Sequence, residues 1–97
     1  PVGKFPAIMR DIAVIVPVRI RTEEIANAVE AAGGNLLIDS DLFDYFQDDR
    51  MREVDQKSMA FHLVFQSSAR TLTDTEVDKL MLAIMSALEE KGWEVRK

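Results

Sequence analysis

Ser58-Met59-Ala60-Phe61-His62-Leu63-Val64-Phe65 is the stretch on which the fold turns. Met59, Phe61, Leu63 and Phe65 alternate strictly with Ser58, Ala60, His62 and Val64, the period of a strand with one buried face. Upstream, Arg10 to Val16 sets Ile12, Val14 and Val16 against Asp11 and Ala13, a second β-branched strand that Pro17 limits. Between the two, Thr22 is placed as an N-cap. Glu23 and Glu24 suit the positive end of a helix dipole, Ile25, Ala28, Val29 and Ala32 recur at helical spacing, and Gly33-Gly34 stops the helix. Residues 35–46 read as another strand. Its apolar residues fall on both parities, which suggests a bulge, and Gln47 to Gln56 reads as a polar loop. Downstream, Thr73-Asp74-Thr75-Glu76 is a capping box. Val77, Leu80, Met81, Ile84 and Leu88 then form one helical stripe, Lys91-Gly92 closes it, and Trp93 to Arg96 supply a short last strand. The order β, α, β, β, α, β predicts an α+β, ferredoxin-like fold: a four-stranded antiparallel sheet with two helices on one face.

Ninety-seven residues suit one domain, 1–97, with no internal repeat or linker. Hydrophobic residues at 47% and charged ones at 30% describe a globular chain. No stretch is apolar enough for a membrane span and no secretory signal is visible, so the expected location is cytoplasmic. The absence of Cys and the single His exclude disulfides, thiolate catalysis and sulfur-rich or polyhistidine metal sites.

A net charge of −5 is unusual for a nucleic-acid partner, but it is unevenly spread. Residues 1–21 hold Lys4, Arg10, Arg19 and Arg21 against Asp11, and residues 56–72 hold Lys57 and Arg70 with no acid. The stretch from Asp39 to Asp55 carries the excess, with seven acids against Arg50 and Arg52. In a ferredoxin-like sheet the first and third strands are central neighbours, which brings the basic segments together. Asp11, Ala13, Ser58, Ala60 and His62 would then line a small, polar, weakly cationic open face, with Arg10, Lys57 and Arg70 around its rim as phosphate holders. His62 has no carboxylate partner near it in sequence and reads as a solvated side chain. Arg10 and Asp11 read as a local ion pair.

Four segments resemble, in order, the anticodon-binding domain that closes phenylalanyl-tRNA synthetase β subunits. They are Lys4-Phe5-Pro6-Ala7-Ile8-Met9-Arg10-Asp11-Ile12-Ala13, Leu42-Phe43-Asp44, Lys57-Ser58-Met59-Ala60-Phe61 and Arg70-Thr71-Leu72-Thr73-Asp74. The resemblance covers essentially the whole chain. It implies a tRNA-binding domain without chemistry or cofactor of its own, cut from a longer synthetase whose ATP and Mg belong at a distant catalytic site. Its implied partners are phenylalanine tRNA and the α and β subunits of the synthetase, with no DNA and no membrane. By the same resemblance Ser58 contacts the anticodon, Phe46 stacks on a base, and Asp44 belongs to the motif beside it. Tyr is common at the place of Phe46; Phe keeps the stacking face and lacks the hydroxyl, and Tyr45 would compensate only if the strand is bulged.

Rival functions fit the residues less well. An enzyme of the acylphosphatase kind draws on Gly in its first strand–helix loop, where this chain has Pro17-Val18-Arg19-Ile20-Arg21. A metal carrier on the same fold needs paired Cys, and an RNA-recognition motif needs exposed aromatics on its two central strands. The alternative that remains is a small regulatory or protein-docking domain whose acidic Asp39–Asp55 region meets a basic partner.

Overall fold

The computed structural model describes residues 5–96; Lys4, counted above in the first basic segment, lies outside them. In chain order the elements are β1 (Ile8–Pro17), α1 (Thr22–Gly33), a 3-10 turn (Gly34–Leu36), β2 (Leu37–Phe46), α2 (Asp49–Glu53), β3 (Gln56–Phe65), α3 (Asp74–Glu90) and β4 (Glu94–Arg96). The sheet order is β2-β3-β1-β4, every neighbouring pair antiparallel. This is the expected ferredoxin-like arrangement, with β1 and β3 central.

Alternation makes the core. Ile12, Val14 and Val16 of β1 and Met59, Phe61, Leu63 and Phe65 of β3 share one face, where they bury against Ile25 and Val29 of α1 and Val77, Met81, Ile84 and Leu88 of α3. Burying each such side chain fully contributes about 1.5–3 kcal/mol, so this single layer is what closes the domain. Trp93 joins it from just before β4.

Two local expectations are corrected. Thr22 is the first helical residue rather than the N-cap: Arg21 takes the cap position without a side-chain cap, and the Glu24 carboxylate accepts its backbone N–H at 3.4 Å. The loop after β2 contains a helix, α2, capped by Asp48, whose carboxylate accepts the Met51 N–H at 2.8 Å. Five residues are too few to display a helical period, so the cap was its one sequence signal. Asp55, just past the Val54 C-cap of this helix, lies in the left-handed region at φ 60° and its carbonyl accepts the Val18 N–H at 3.0 Å, tying the turn to the end of β1.

The bulge expected in β2 is present twice. The register with β3 slips between Leu37 and Asp39 and again between Leu42 and Asp44, which leaves Ile38 and Phe43 as extra residues. Each extra residue reverses the side to which the following side chains point.

Candidate functional site

The sheet face away from the helices is set by the same alternation. It carries Asp11, Ala13 and Ile15 of β1 and Ser58, Ala60, His62 and Val64 of β3. Across from these, β2 contributes Asp39 opposite Val64, Asp41 opposite His62, Asp44 opposite Ala60 and Phe46 opposite Ser58. On the other side β4 adds Glu94 beside Ile15 and Arg96 beside Ala13. The centre is small and polar, as expected. Its charge is not: four aspartates and Glu94 against Arg96 make it carboxylate-rich, where the sequence suggested a weakly cationic surface. Three of these acids come from β2, whose contribution to this face depends on the bulges.

At one end the face deepens into a cleft of about 550 Å³. Ile15, Ser58 and Phe46 form its floor, and α2 brings Arg50, Met51 and Val54 over it. Phe46 is 55% exposed, so its ring is offered to solvent rather than packed. Asp44 lies two residues back on the same strand side, and one of its oxygens accepts the Tyr45 N–H at 3.0 Å. Arg96 closes the far wall, 3.3 Å from Glu94. Arg50 forms no ion pair among the described residues. Asp48 also lines the cleft, with one carboxylate oxygen engaged as the cap of α2.

Of the six residues singled out from the sequence, the structure brings together Ser58, Phe46 and Asp44. The other three lie elsewhere. Arg10 has the parity of Ile12 and points to the helix side, where its guanidinium sits 3.2 Å from Asp78 and 3.5 Å from Asp74 on α3. Lys57 pairs with buried Val16 and shares the parity of Met59, so it too faces away from Ser58. Arg70 follows the opposite end of β3; seven residues separate Ser58 from Phe65, a span of about 23 Å at strand rise. Its guanidinium is held by Glu76 in two contacts of 2.6 and 2.5 Å. That hydrogen bond, helped by the Thr73 backbone N–H, lowers the Glu76 carboxyl to about 2, and Glu76 raises Arg70 in turn. Tyr45 stands opposite Met59, on the helix side, and is no substitute for Phe46.

Sequence reasoning missed Arg50, Met51 and Val54 because it missed α2, and Arg96 because three residues of strand give little alternation to read. It also missed a cluster at the middle of the open face. Asp11 and His62 are cross-strand partners, with His62 Nδ1 2.6 Å from Asp11 Oδ1, so the histidine does have a carboxylate partner. The Phe43 ring, carried on this face by the extra residue of the bulge, stacks on the imidazole at 3.7 Å and 6°. Arg10 and Asp11 therefore do not pair with each other. Among the described residues no three His, Cys, Asp or Glu side chains are grouped to hold a metal ion, and no helix is long and apolar enough to cross a membrane.

Comparison with known proteins agrees with this fold. The family model described as ferredoxin-fold anticodon binding domain matches residues 3–96. The chain is 38% identical over 96 residues to the phenylalanine–tRNA ligase beta subunit of Symbiobacterium thermophilum, covering 99% of this chain and 11% of that protein. It is 44% identical over 96 residues to that of Streptococcus mutans, covering 98% and 12%, and 40% identical over 90 residues to that of Streptococcus pneumoniae, covering 93% and 11%. The chain thus spans 11–12% of the length of these curated relatives.

Proposed function

Because the chain belongs to the ferredoxin-fold anticodon-binding domain family, we propose that it is the tRNA-gripping module of a phenylalanine–tRNA ligase beta subunit. It holds the anticodon of phenylalanine tRNA in the cytoplasm while aminoacylation, with its ATP and Mg, proceeds elsewhere in the parent enzyme. Its other partners are the remaining parts of that enzyme, α and β subunits together. The domain contributes no bond-making step; its role is to position the tRNA.

The observation that carries this reading is the pairing of exposed Phe46 with Ser58 at the floor of one cleft. An unstacked base laid on the Phe46 ring gains about 1–3 kcal/mol of stacking. The Ser58 hydroxyl, across the strand, donates to or accepts from the edge of that base, and the free oxygen of Asp44 accepts a base N–H. Base edges and stacking specify, while cations on phosphates hold. Arg50 and Arg96 flank the cleft and take the phosphate role in place of Arg10, Lys57 and Arg70. The carboxylates at Asp39, Asp41 and Asp11 repel the RNA backbone from the rest of the face and so orient the loop toward the cationic end.

The test is an NMR titration of the 97-residue chain with the anticodon stem–loop of phenylalanine tRNA, and with the same stem–loop carrying a different anticodon. The proposal expects shifts at Ile15, Phe46, Ser58 and Arg96, weaker binding of the altered loop, and a steep loss of affinity between about 50 and 200 mM salt. Equal binding of both loops, or shifts confined to α1 and α3, would reject it. A stem–loop that fails to bind, beside a basic protein surface that does, would favour the docking alternative.

A further inference from the structure

Successive rows of side chains cross the open face of the sheet. In the first, Phe46 lies beside Ser58 at the cleft; in the second, Ala60 and Ala13 lie beside Arg96; in the third, His62 lies beside Asp11. Two residues of strand separate one row from the next, about 7 Å. Phe43, the extra residue of the second bulge, lays its ring flat on the His62 imidazole at 3.7 Å and 6°. The imidazole is pinned from a second side, with Nδ1 2.6 Å from Asp11 Oδ1. Against Phe43 lies a hollow of about 110 Å³ lined by Asp11, Ala13 and Ala60 but not by His62. The histidine thus covers one side of the Phe43 ring, the hollow meets the ring elsewhere, and 45% of Phe43 stays exposed. Methyl side chains on the floor let a flat group come close to the sheet, and a closed cavity of about 150 Å³ takes a whole benzene ring. The second carboxylate oxygen of Asp11 has no partner among the described residues.

We propose that this hollow is a second base site: the nucleotide next to the one on Phe46 lays its base against Phe43 and gives an exocyclic N–H to the free oxygen of Asp11. The inference rests on the proposed function, since it seats a second nucleotide of the same RNA loop. Spacing supports it. Stacked nucleotides rise about 3.4 Å along a strand, so the neighbour of the Phe46 nucleotide reaches the next row once the two bases unstack, as loop bases do when they stack on protein aromatics. Arg96 stands between the two positions, lining the cleft and paired across the sheet with Ala13, where it meets the phosphate that joins the nucleotides. Charge supports it as well. Asp11 and Asp41 repel a phosphate, so what enters the hollow is a base edge that donates. Adenine, cytosine and guanine carry an exocyclic amine and uracil does not, so the site selects against uracil. Phe43 is held by His62, and His62 by Asp11, so the site is formed before RNA arrives and little ordering is needed on binding.

The experiment measures fluorescence anisotropy of the anticodon stem–loop of phenylalanine tRNA, intact and with each anticodon nucleotide in turn made abasic. It compares the parent chain with Phe43→Ala, Phe43→Leu, Phe46→Ala and Asp11→Asn. Both Phe43 variants should bind the intact loop more weakly by about fivefold or more. Leu keeps apolar cover on the His62 ring, so a loss shared by both variants reports the missing aromatic face. One abasic loop should then bind the parent chain and Phe43→Ala alike, and its abasic position should adjoin the one that behaves so for Phe46→Ala. With adenosine or uridine at the Phe43 nucleotide, the parent chain should prefer adenosine about tenfold, and Asp11→Asn should reduce that preference to about threefold or less. Phe43 variants within about twofold of the parent, beside a weakened Phe46→Ala, would overturn this inference and leave the proposed function standing. One nucleotide coupled to both rings would do the same, as would an adenosine preference that Asp11→Asn does not change. Binding indifferent to both rings would overturn the two together.

Discussion

Phe46 stands directly across the β2–β3 ladder from Ser58, while its neighbour Tyr45 stands across from buried Met59. One extra residue, Phe43, decides which aromatic does which. In an unbulged strand with Leu42 held opposite Phe61, Tyr45 would reach Ser58 and Phe46 would turn to the helices. The bulge puts a ring without a hydroxyl at the cleft, so Phe46 offers stacking and leaves hydrogen bonding to Ser58 and Asp44.

Phe46→Ala should weaken binding of the anticodon stem–loop by about 5- to 150-fold, the equivalent of ~1–3 kcal/mol for one stacked base. Because the ring is largely exposed, unfolding stability should change by no more than about 0.5 kcal/mol. Fluorescence anisotropy and urea unfolding on the same samples separate the two. Affinity unchanged by the substitution would remove Phe46 from the site.

The cations divide by position. Arg10→Ala should leave stem–loop affinity within about twofold and cost 0–1 kcal/mol of stability, as for other exposed ion pairs. Arg50→Ala and Arg96→Ala should each weaken binding and lower the salt slope by about 1. A large RNA defect in Arg10→Ala would return the phosphate contact to the helix side.

Glu76 makes the fold sensitive to acid. Its carboxyl is lowered to about 2 in the folded chain against an ordinary 4.5. The unfolded chain therefore binds the proton more readily. The stabilisation from Arg70 and the Thr73 cap is fully present above about pH 4.5 and disappears as the pH falls through about 2. Glu76→Gln should lower the melting temperature at neutral pH and converge on the parent chain toward pH 2. Added salt should narrow the gap, because the pair is exposed.

Gly33→Ala should destabilise, against the usual gain for Ala in a helix. Gly33 has helical geometry at φ −75°, so its backbone would accept Ala. A Cβ there would lie 2.6 Å from Leu37 Cδ2 and 2.8 Å from Leu37 Cβ. Overpacking of this kind costs about 1–3 kcal/mol, more than the ~1 kcal/mol that Ala gains over Gly in propensity. Urea unfolding that shows a more stable variant would contradict this reading of the α1–β2 corner.

Much of the candidate site is legible in the sequence. Strict alternation from Ser58 to Phe65 defines the face of β3, and the family-like segments point to Ser58, Asp44 and, as the aromatic that follows Leu42-Phe43-Asp44, Phe46. The same alternation already holds the positions of Arg10 and Lys57, since each shares parity with buried neighbours; adjacency along a strand places consecutive side chains on opposite faces. The helix α2 was hidden for a different reason, being shorter than two turns. With it went Arg50, Met51 and Val54, which form one wall of the cleft.

By itself the sequence determined the four strands, the two long helices and their order, because hydrophobic period and end caps act between residues a few positions apart. Tertiary structure alone decided that Asp11 meets His62, that Phe43 covers it, and that Phe46 rather than Tyr45 faces Ser58. Those outcomes depend on register between strands. A slip of one residue leaves local preferences almost untouched yet turns every following side chain to the other face, and only the packing of the whole sheet against its helices selects among the slips.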